Sequence, residues 1–252
     1  MARNFVSASS QYLEHAAAIH TTYPFTMVSW VSLTGSQLHC LTQYDNSGLT
    51  KRWEVLLTTA AIYAFQQNTG SGSASMLVTP GSSWHHCGGV FEANNNRTVY
   101  YDGSSANDTT NATGNMSAVN TTAIGRGCVG GTQSYGDGYV AEAAIWSVAL
   151  TAAEMTLLAR GFSPRFVRPA SLVAYWPLLG RYSPEIDTRG RFEMTVGGGA
   201  TVQAHVHQRY PAARRVFPIS AAAGPELGHP SMRRVGGIPG MTPGGVLIGR
   251  SW

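Results

Sequence analysis

The chain has 252 residues, 43% hydrophobic and only 12% charged, with a net charge of +4. That supplies a sizeable core, for one large β domain or two small ones, with about half the usual charged share. No run approaches the roughly 18 apolar residues of a membrane span, and MARNFVSASS has no apolar leader, so neither a membrane segment nor a targeting segment is read here.

Short strand-like runs follow one another, separated by Gly, Asn, Ser or Pro. In chain order they are QYLEHA (11–16), FTMVSWVS (25–32), QLHCLTQ (37–43), RWEVLLT (52–58), AIYAFQQ (61–67), SMLVT (75–79) and WHHCGGVFE (84–92). RTVYYDG (97–103), TAIGRG (122–127) and YVAEAAIW (139–146) come next. Strands at this spacing, with turn signals between them, predict a sandwich or barrel. One helix is marked, over about 152–160. Thr151 and Glu154 fit a capping box, Leu157 and Leu158 an apolar face, Arg160 the C-terminal dipole and Gly161 the left-handed cap; such a helix is expected across a sheet edge. SLVAYWPLLG (171–180) and RFEMTVGGGATVQ (191–203) again read as strands. From Ala204 onward Pro, Gly and Arg are scattered without period, which predicts an extended arm over 204–252.

The stretch SSWHHCGGVFEANNNRTVYYDG (82–103) puts two histidines beside a cysteine. Zinc needs about four convergent ligands, and no second close pair exists beyond His205 and His207. Strand alternation instead puts His85 and Cys87 on one face and Trp84 and His86 on the other. Ala93-Asn94-Asn95-Asn96 makes the turn, since Asn tolerates positive φ. Cys40, Cys87 and Cys128 lie in strands and read as buried thiols, in keeping with a reducing cytosol. The five N-x-[ST] tripeptides, at Asn96, Asn107, Asn111, Asn115 and Asn120, read as polar loop.

Several of these segments carry a family resemblance. The 82–103 stretch resembles the W-H-H…Y-[VI]-D-G hairpin of laminin-G-like, concanavalin A-like jelly rolls. GDGYVAEAAIWSVALTAAEM resembles the strand and helix that follow it, with Ala141 in place of an acid and Glu142 kept. NFVSASSQYLEH and YPFTMVSWV resemble the entry strands. SLVAYWPLLG…RFEMTVGGGATVQ resembles a segment that commonly opens such domains, here placed last. The resemblance implies an all-β, concanavalin A-like antiparallel sandwich over 1–203, with 171–203 returning to complete it. Phe25, Trp30, Trp53, Trp84, Phe91 and Trp146 are expected in its core. This segment order resembles structural proteins of tailed-bacteriophage virions.

The site candidates are few. EIDTRGRFE (185–193) resembles the E-x-D-x-E strand of related glucanases, but position 189 is Arg and the third acid is missing, so hydrolase activity is not expected. Calcium candidates are Asp45, Asn46 and Asp137, each also an ordinary turn residue, and no cofactor is expected. Tyr44, Tyr135 and Trp53 are the aromatics available to a sugar at a loop rim. Charge is divided: residues 1–159 carry five basic against nine acidic side chains, a balance of −4, and residues 160–252 carry twelve Arg against four acids, +8. Arg without Lys suits a protein interface. The expectation is a non-enzymatic virion structural protein assembled in the host cytoplasm, a capsid decoration or cementing subunit. Arg209, Arg214, Arg215, Phe217, Arg233, Arg234, Arg250 and Trp252 would hold it to the major capsid protein. Self-association and a surface glycan are further partners weighed, and a lectin-like receptor-binding role is the alternative. Direct nucleic-acid binding is disfavoured, because the arm lacks Lys and interleaved aromatics.

Overall fold

The structure is a computed structural model that describes residues 1–68, 70–112 and 116–209. Its strands are β1 (Ala2–Phe5), β2 (Tyr12–His15), β3 (Phe25–Leu33), β4 (Gln37–Tyr44), β5 (Arg52–Thr58), β6 (Ala61–Gln67), β7 (Ser71–Leu77) and β8 (His85–Ala93). Then come β9 (Asn96–Tyr101), β10 (Ser104–Asp108), β11 (Thr121–Ile124), β12 (Arg126–Val129), β13 (Thr132–Tyr135) and β14 (Gly138–Trp146). Helix α1 (Ala152–Ala159) precedes β15 (Leu172–Trp176), β16 (Thr195–Gly197) and β17 (Thr201–Gln203).

Two sheets result. One runs β10-β9-β8-β3-β14-β1-β17, with β15 also on β14, and the other runs β16-β2-β11-β4-β5-β6-β7. Every pairing within them is antiparallel. Alternation decides what lies between them. On β5, Trp53, Val55 and Leu57 enter the shared core while Arg52 and Glu54 point away; on β8, Cys87 and Phe91 enter it. Phe25 stacks on Phe91 at 4.8 Å and meets Trp53 edge-on at 5.3 Å. Each such aromatic pair adds about 0.5–1.5 kcal/mol beyond burial alone. Cys40, Cys87 and Cys128 are all buried, free thiols. The last strands do return: β15 pairs with β14, β16 with β2 and β17 with β1.

Helix α1 carries its capping box, with the Glu154 amide donating to the Thr151 hydroxyl and the Glu154 carboxylate accepting from Thr151, and Gly161 follows at φ +88°. Its apolar face is Met155 and Leu158, whereas Leu157 is exposed. The helix covers the outer face of the eight-stranded sheet rather than an edge, packing on Val28, Val90, Ala144 and Trp146. Trp30 and Trp84 also depart from expectation. Both are only partly buried and lie outside the main core, in a small outer cluster with Ala2, Ala141 and Val206. Alternation puts them there: β3 and β8 give Met27, Val31 and Cys87 to the core, so their other faces look outward. TAIGRG is not one strand but two, β11 and β12, broken at Gly125 with φ +78°.

Candidate functional site

Part of the outer face of the seven-stranded sheet, over β4 and β5, is covered by the chain itself. The β12–β13 hairpin lies over β4 and β5 and seals a polar group of fully buried side chains. Glu54 is bonded by His39, by Arg52 at 3.0 Å and by the Thr42 hydroxyl at 3.2 Å, and Arg52 also donates to the Cys128 carbonyl. Burial pushes the Glu54 carboxyl up, but the His39 and Arg52 charges beside it outweigh this and hold it below its ordinary value. At the hairpin's far end Arg126 pairs with Glu14 and lies 3.8 Å over the Tyr12 ring. A side chain at Gly127 would stand 2.6 Å from both the Glu54 carboxylate and the His39 ring, so only glycine allows this approach.

The sugar-site aromatics fall on this covered side or in the core. Trp53 is in the core, as expected of it, and Tyr44 lies beneath the hairpin, both fully buried and away from any rim; Tyr135 stays half-exposed against Tyr12. Asp45 accepts from the Ser47 amide and hydroxyl and the Gly48 amide, and these bonds pull its carboxyl below the ordinary value against a burial effect. Asn46 accepts from Gln133 at 3.2 Å. Asp137 accepts from the Ser7 amide at 2.7 Å and hydroxyl at 2.8 Å. All three thus do the work of loop residues. Glu185 and Asp187 are buried struts. Glu185 pairs with Arg3 at 2.6 Å and accepts from the Gly180 amide, while Asp187 accepts from the amides of Tyr175, Arg189 and Arg191. His85, His86 and Cys87 join no metal-binding group among the described residues.

An open site lies on the other side of the molecule, on the outer face of the eight-stranded sheet. β14 shifts register between Ala141 and Ala144, and Glu142 sits there at φ +54°. The extra residue keeps Val140, Ala143 and Ile145 in the core while turning Glu142 outward, at the cost of a conformation unfavourable to a side chain. The buried Glu142 carboxylate accepts from the Tyr175 hydroxyl and, at 3.2 Å, from His205. Tyr175 in turn lies 3.3 Å from the Ser163 hydroxyl. His205 faces acceptors on both ring nitrogens: the Val206 carbonyl at 2.7 Å from Nδ1, the Pro177 carbonyl at 3.0 Å from Nε2. Only a doubly protonated ring donates at both. Burial works against that charge, but the bond to Glu142 and the two carbonyls outweigh it and raise the His205 pKa. Burial and the Glu142 charge push the Tyr175 hydroxyl far above its ordinary value, so it remains a donor.

These groups line a cavity of about 510 Å³, closed by Pro177, Leu179 and residues 205–208. The Gln208 amide is buried at both polar atoms and neither has a partner among the described residues. Arg165 stands at the edge, 5.8 Å from the Tyr175 ring, with no carboxylate partner among the described residues. Of the expected anchor residues, Arg209 is exposed and bridges to Phe162, its amide donating to Gly161. Arg214, Arg215, Phe217, Arg233, Arg234, Arg250 and Trp252 lie outside the described residues. The sequence offered one pointer to this cavity, a lone acid inside the apolar run YVAEAAIW.

An antiparallel sandwich with a short helix on one outer face defines a lectin-type jelly roll, and comparison agrees. The Concanavalin A-like lectin/glucanases superfamily profile matches residues 7–156, and the chain belongs to that superfamily. No curated protein matches the sequence. Among solved structures, a proposed carbohydrate-binding protein from Bacteroides ovatus is similar at 16% identity and a TM-score of 0.58, over 82% of this chain and 60% of that one. The enzymatically active domain of tailspike protein 2 from bacteriophage CBA120 is similar at 9% identity and a TM-score of 0.50, over 71% of this chain and 31% of that one. A pentraxin of Limulus polyphemus gives 16% identity and a TM-score of 0.49, over 63% of this chain and 81% of that one. The chain spans about three fifths of the length of the Bacteroides structure it matches.

Proposed function

We propose that this chain is a non-enzymatic virion structural protein, a capsid decoration or cementing subunit held to the particle by its arginine-rich C-terminal residues. The observation that carries the non-enzymatic part is the state of Glu185 and Asp187. Each is buried with its oxygens committed to Arg3 or to backbone amides, so neither is placed to protonate or attack a glycosidic bond. The anchoring part is supported by the charge balance of +8 over residues 160–252, all of it from Arg. Such a segment suits an acidic partner surface, and planar guanidinium groups form multidentate contacts there. The likeness in fold to a bacteriophage tailspike domain is in keeping with a virion setting.

A truncation that tests the anchoring must fall after residue 209. Val206 is buried and Arg209 is bridged to Phe162, so removing residues from 205 would damage the sandwich. Chains 1–252 and 1–209 should be added to particles that lack the protein, with melting temperature checked on each. The reading expects both to be folded, the full chain to join the particle in a salt-sensitive manner, and the shortened one to stay in solution. Full occupancy by 1–209 would sink the anchoring account, and saccharide release abolished by Glu185→Gln would sink the non-enzymatic one.

A further inference from the structure

We infer that the surface around Arg165, Tyr182 and Ile186 is a docking site for an acidic segment of another protein that carries one apolar anchor side chain. The inference uses none of the arginines beyond residue 209 and does not rest on the virion reading.

It starts from an inverted pattern in Glu185-Ile186-Asp187, where both acids are buried and the isoleucine between them is 39% exposed. The two carboxylates are held inward, Glu185 by Arg3 and the Gly180 amide, Asp187 by the amides of Tyr175, Arg189 and Arg191. Ile186 is thereby turned out. Tyr182 is 56% exposed, and both side chains line a cavity of about 180 Å³ whose walls include Pro177, Leu179 and Arg165. A single exposed apolar residue is ordinary, but a group of them around a depression marks a contact surface. An engineered cavity of about 150 Å³ accepts benzene, so this one has room for a leucine or phenylalanine side chain.

Charge selects the partner. Arg165, Arg181 and Arg189 are exposed, and none has a carboxylate partner among the described residues. Arg165 lines the cavity, and the other two directly adjoin the lining residues Tyr182 and Thr188 in sequence. The acids nearby are already matched. Glu185 is paired with Arg3, and Glu142, in the larger cavity that shares Arg165, Pro177 and Leu179, is paired with His205. An apolar depression is therefore ringed by uncompensated positive charge.

An uncharged apolar partner would strip water from these guanidinium groups and give no hydrogen bonds in return. A nucleic-acid or sulfated chain brings anions but no aliphatic anchor. Residues 210–252, with five Arg against one Glu, and the same surface of a second copy would both bring like charge. An acidic peptide with one apolar side chain satisfies the depression and its rim together, its carboxylates pairing with planar guanidinium groups.

The full chain should be titrated by fluorescence anisotropy with a short labelled peptide of Asp and Glu around a single photo-leucine. Comparison peptides replace the anchor by Ser or the acids by Lys, and a thymidine oligonucleotide and heparin supply anions alone. The anchored acidic peptide should bind, less tightly as salt rises, and each comparison peptide should bind roughly tenfold more weakly. Arg165→Glu and Ile186→Ser should each raise its Kd roughly tenfold with the melting temperature unchanged. Leu77→Ser, at an exposed apolar residue of β7, should leave the Kd as it is. Irradiation should attach the photo-leucine within residues 177–189. No binding, attachment to residues 210–252, indifference to the anchor, or an unchanged Kd in both variants would overturn the proposal. So would tighter binding of the oligonucleotide or heparin that Arg165→Glu abolishes, or a dimer of the chain that Ile186→Ser dissolves.

Discussion

Two histidines on the outer side of the eight-stranded sheet titrate with opposite sign. His86 is buried beside Trp30, with no partner for either ring nitrogen among the described residues, and burial lowers its pKa to about 4 against a weaker pull from Asp102. The unfolded chain takes that proton near 6.5 and the folded one refuses it, so His86 contributes stability above about 6.5 that is lost as pH falls towards 4. The size is on the order of 3 kcal/mol. His205 behaves the other way, since its folded pKa is raised. Its contribution is complete below about 6.5 and disappears as pH climbs through the raised value. Melting curves across pH should separate the two. His86→Leu should flatten the acid limb between 4 and 6.5, and His205→Gln should remove the decline above 6.5 without touching the acid limb. If His205→Gln follows the parent chain above 6.5, the imidazolium pairing with Glu142 is wrong. Alternation in WHHC put His86 on the face of Trp84, which was expected in the core, and the structure turns that face outward. The isolation of His86 was invisible, because that depends on Trp30 from another strand and on burial that no local pattern reports.

Among the elements, the β12–β13 hairpin is the one whose placement hangs on a single position. A methyl at Gly127 would crowd Glu54 and His39, neither of which can move, being fully buried under it. Gly127→Ala should therefore cost about 1–3 kcal/mol in denaturant unfolding. Amide exchange should accelerate over residues 126–135, whereas Thr132→Ala at the exposed start of β13 should change neither. Wild-type protection of 126–135 in the Gly127 variant would mean the hairpin does not seal that face. The hairpin was half legible. Strands such as RWEVLLT and AIYAFQQ declared themselves because apolar and polar residues alternate between core and exterior. β1 (ARNF), β10 (SSAND) and β13 (TQSY) have no such alternation. They are held by backbone bonding and by polar side chains such as Arg3, which only tertiary structure can partner. β12 was hidden by running straight on from β11 across Gly125. Helix α1 was read to within a residue from its capping box, although its face was misjudged, since Leu157 and Leu158 cannot both point inward.

At the scale of the whole molecule, the two ends of the sandwich are fastened to each other. Arg3 on β1 and Glu185 ahead of β16 form a buried pair, with Arg3 also donating to the carbonyls of Ala200 and Tyr182. Arg3→Ala leaves a carboxylate buried without its partner and should cost about 3–5 kcal/mol. The double change Arg3→Met with Glu185→Leu should recover much of that loss, and equal instability in both would show that the charge pair is not what matters. The order of segments made this closure readable, since LVAYWPL resembled an opening strand placed last. The cavity was not readable, because residues 142, 163, 175, 205 and 208 meet only after the sheet has formed. One more consequence follows from β1 lying between β14 and β17. On the ribosome β1 is made first and both of its neighbours late, so for most of synthesis the first strand has nothing to pair with. The sandwich closes only as the last strands emerge, and a chain released before then carries open sheet edges that can join those of another unfinished copy.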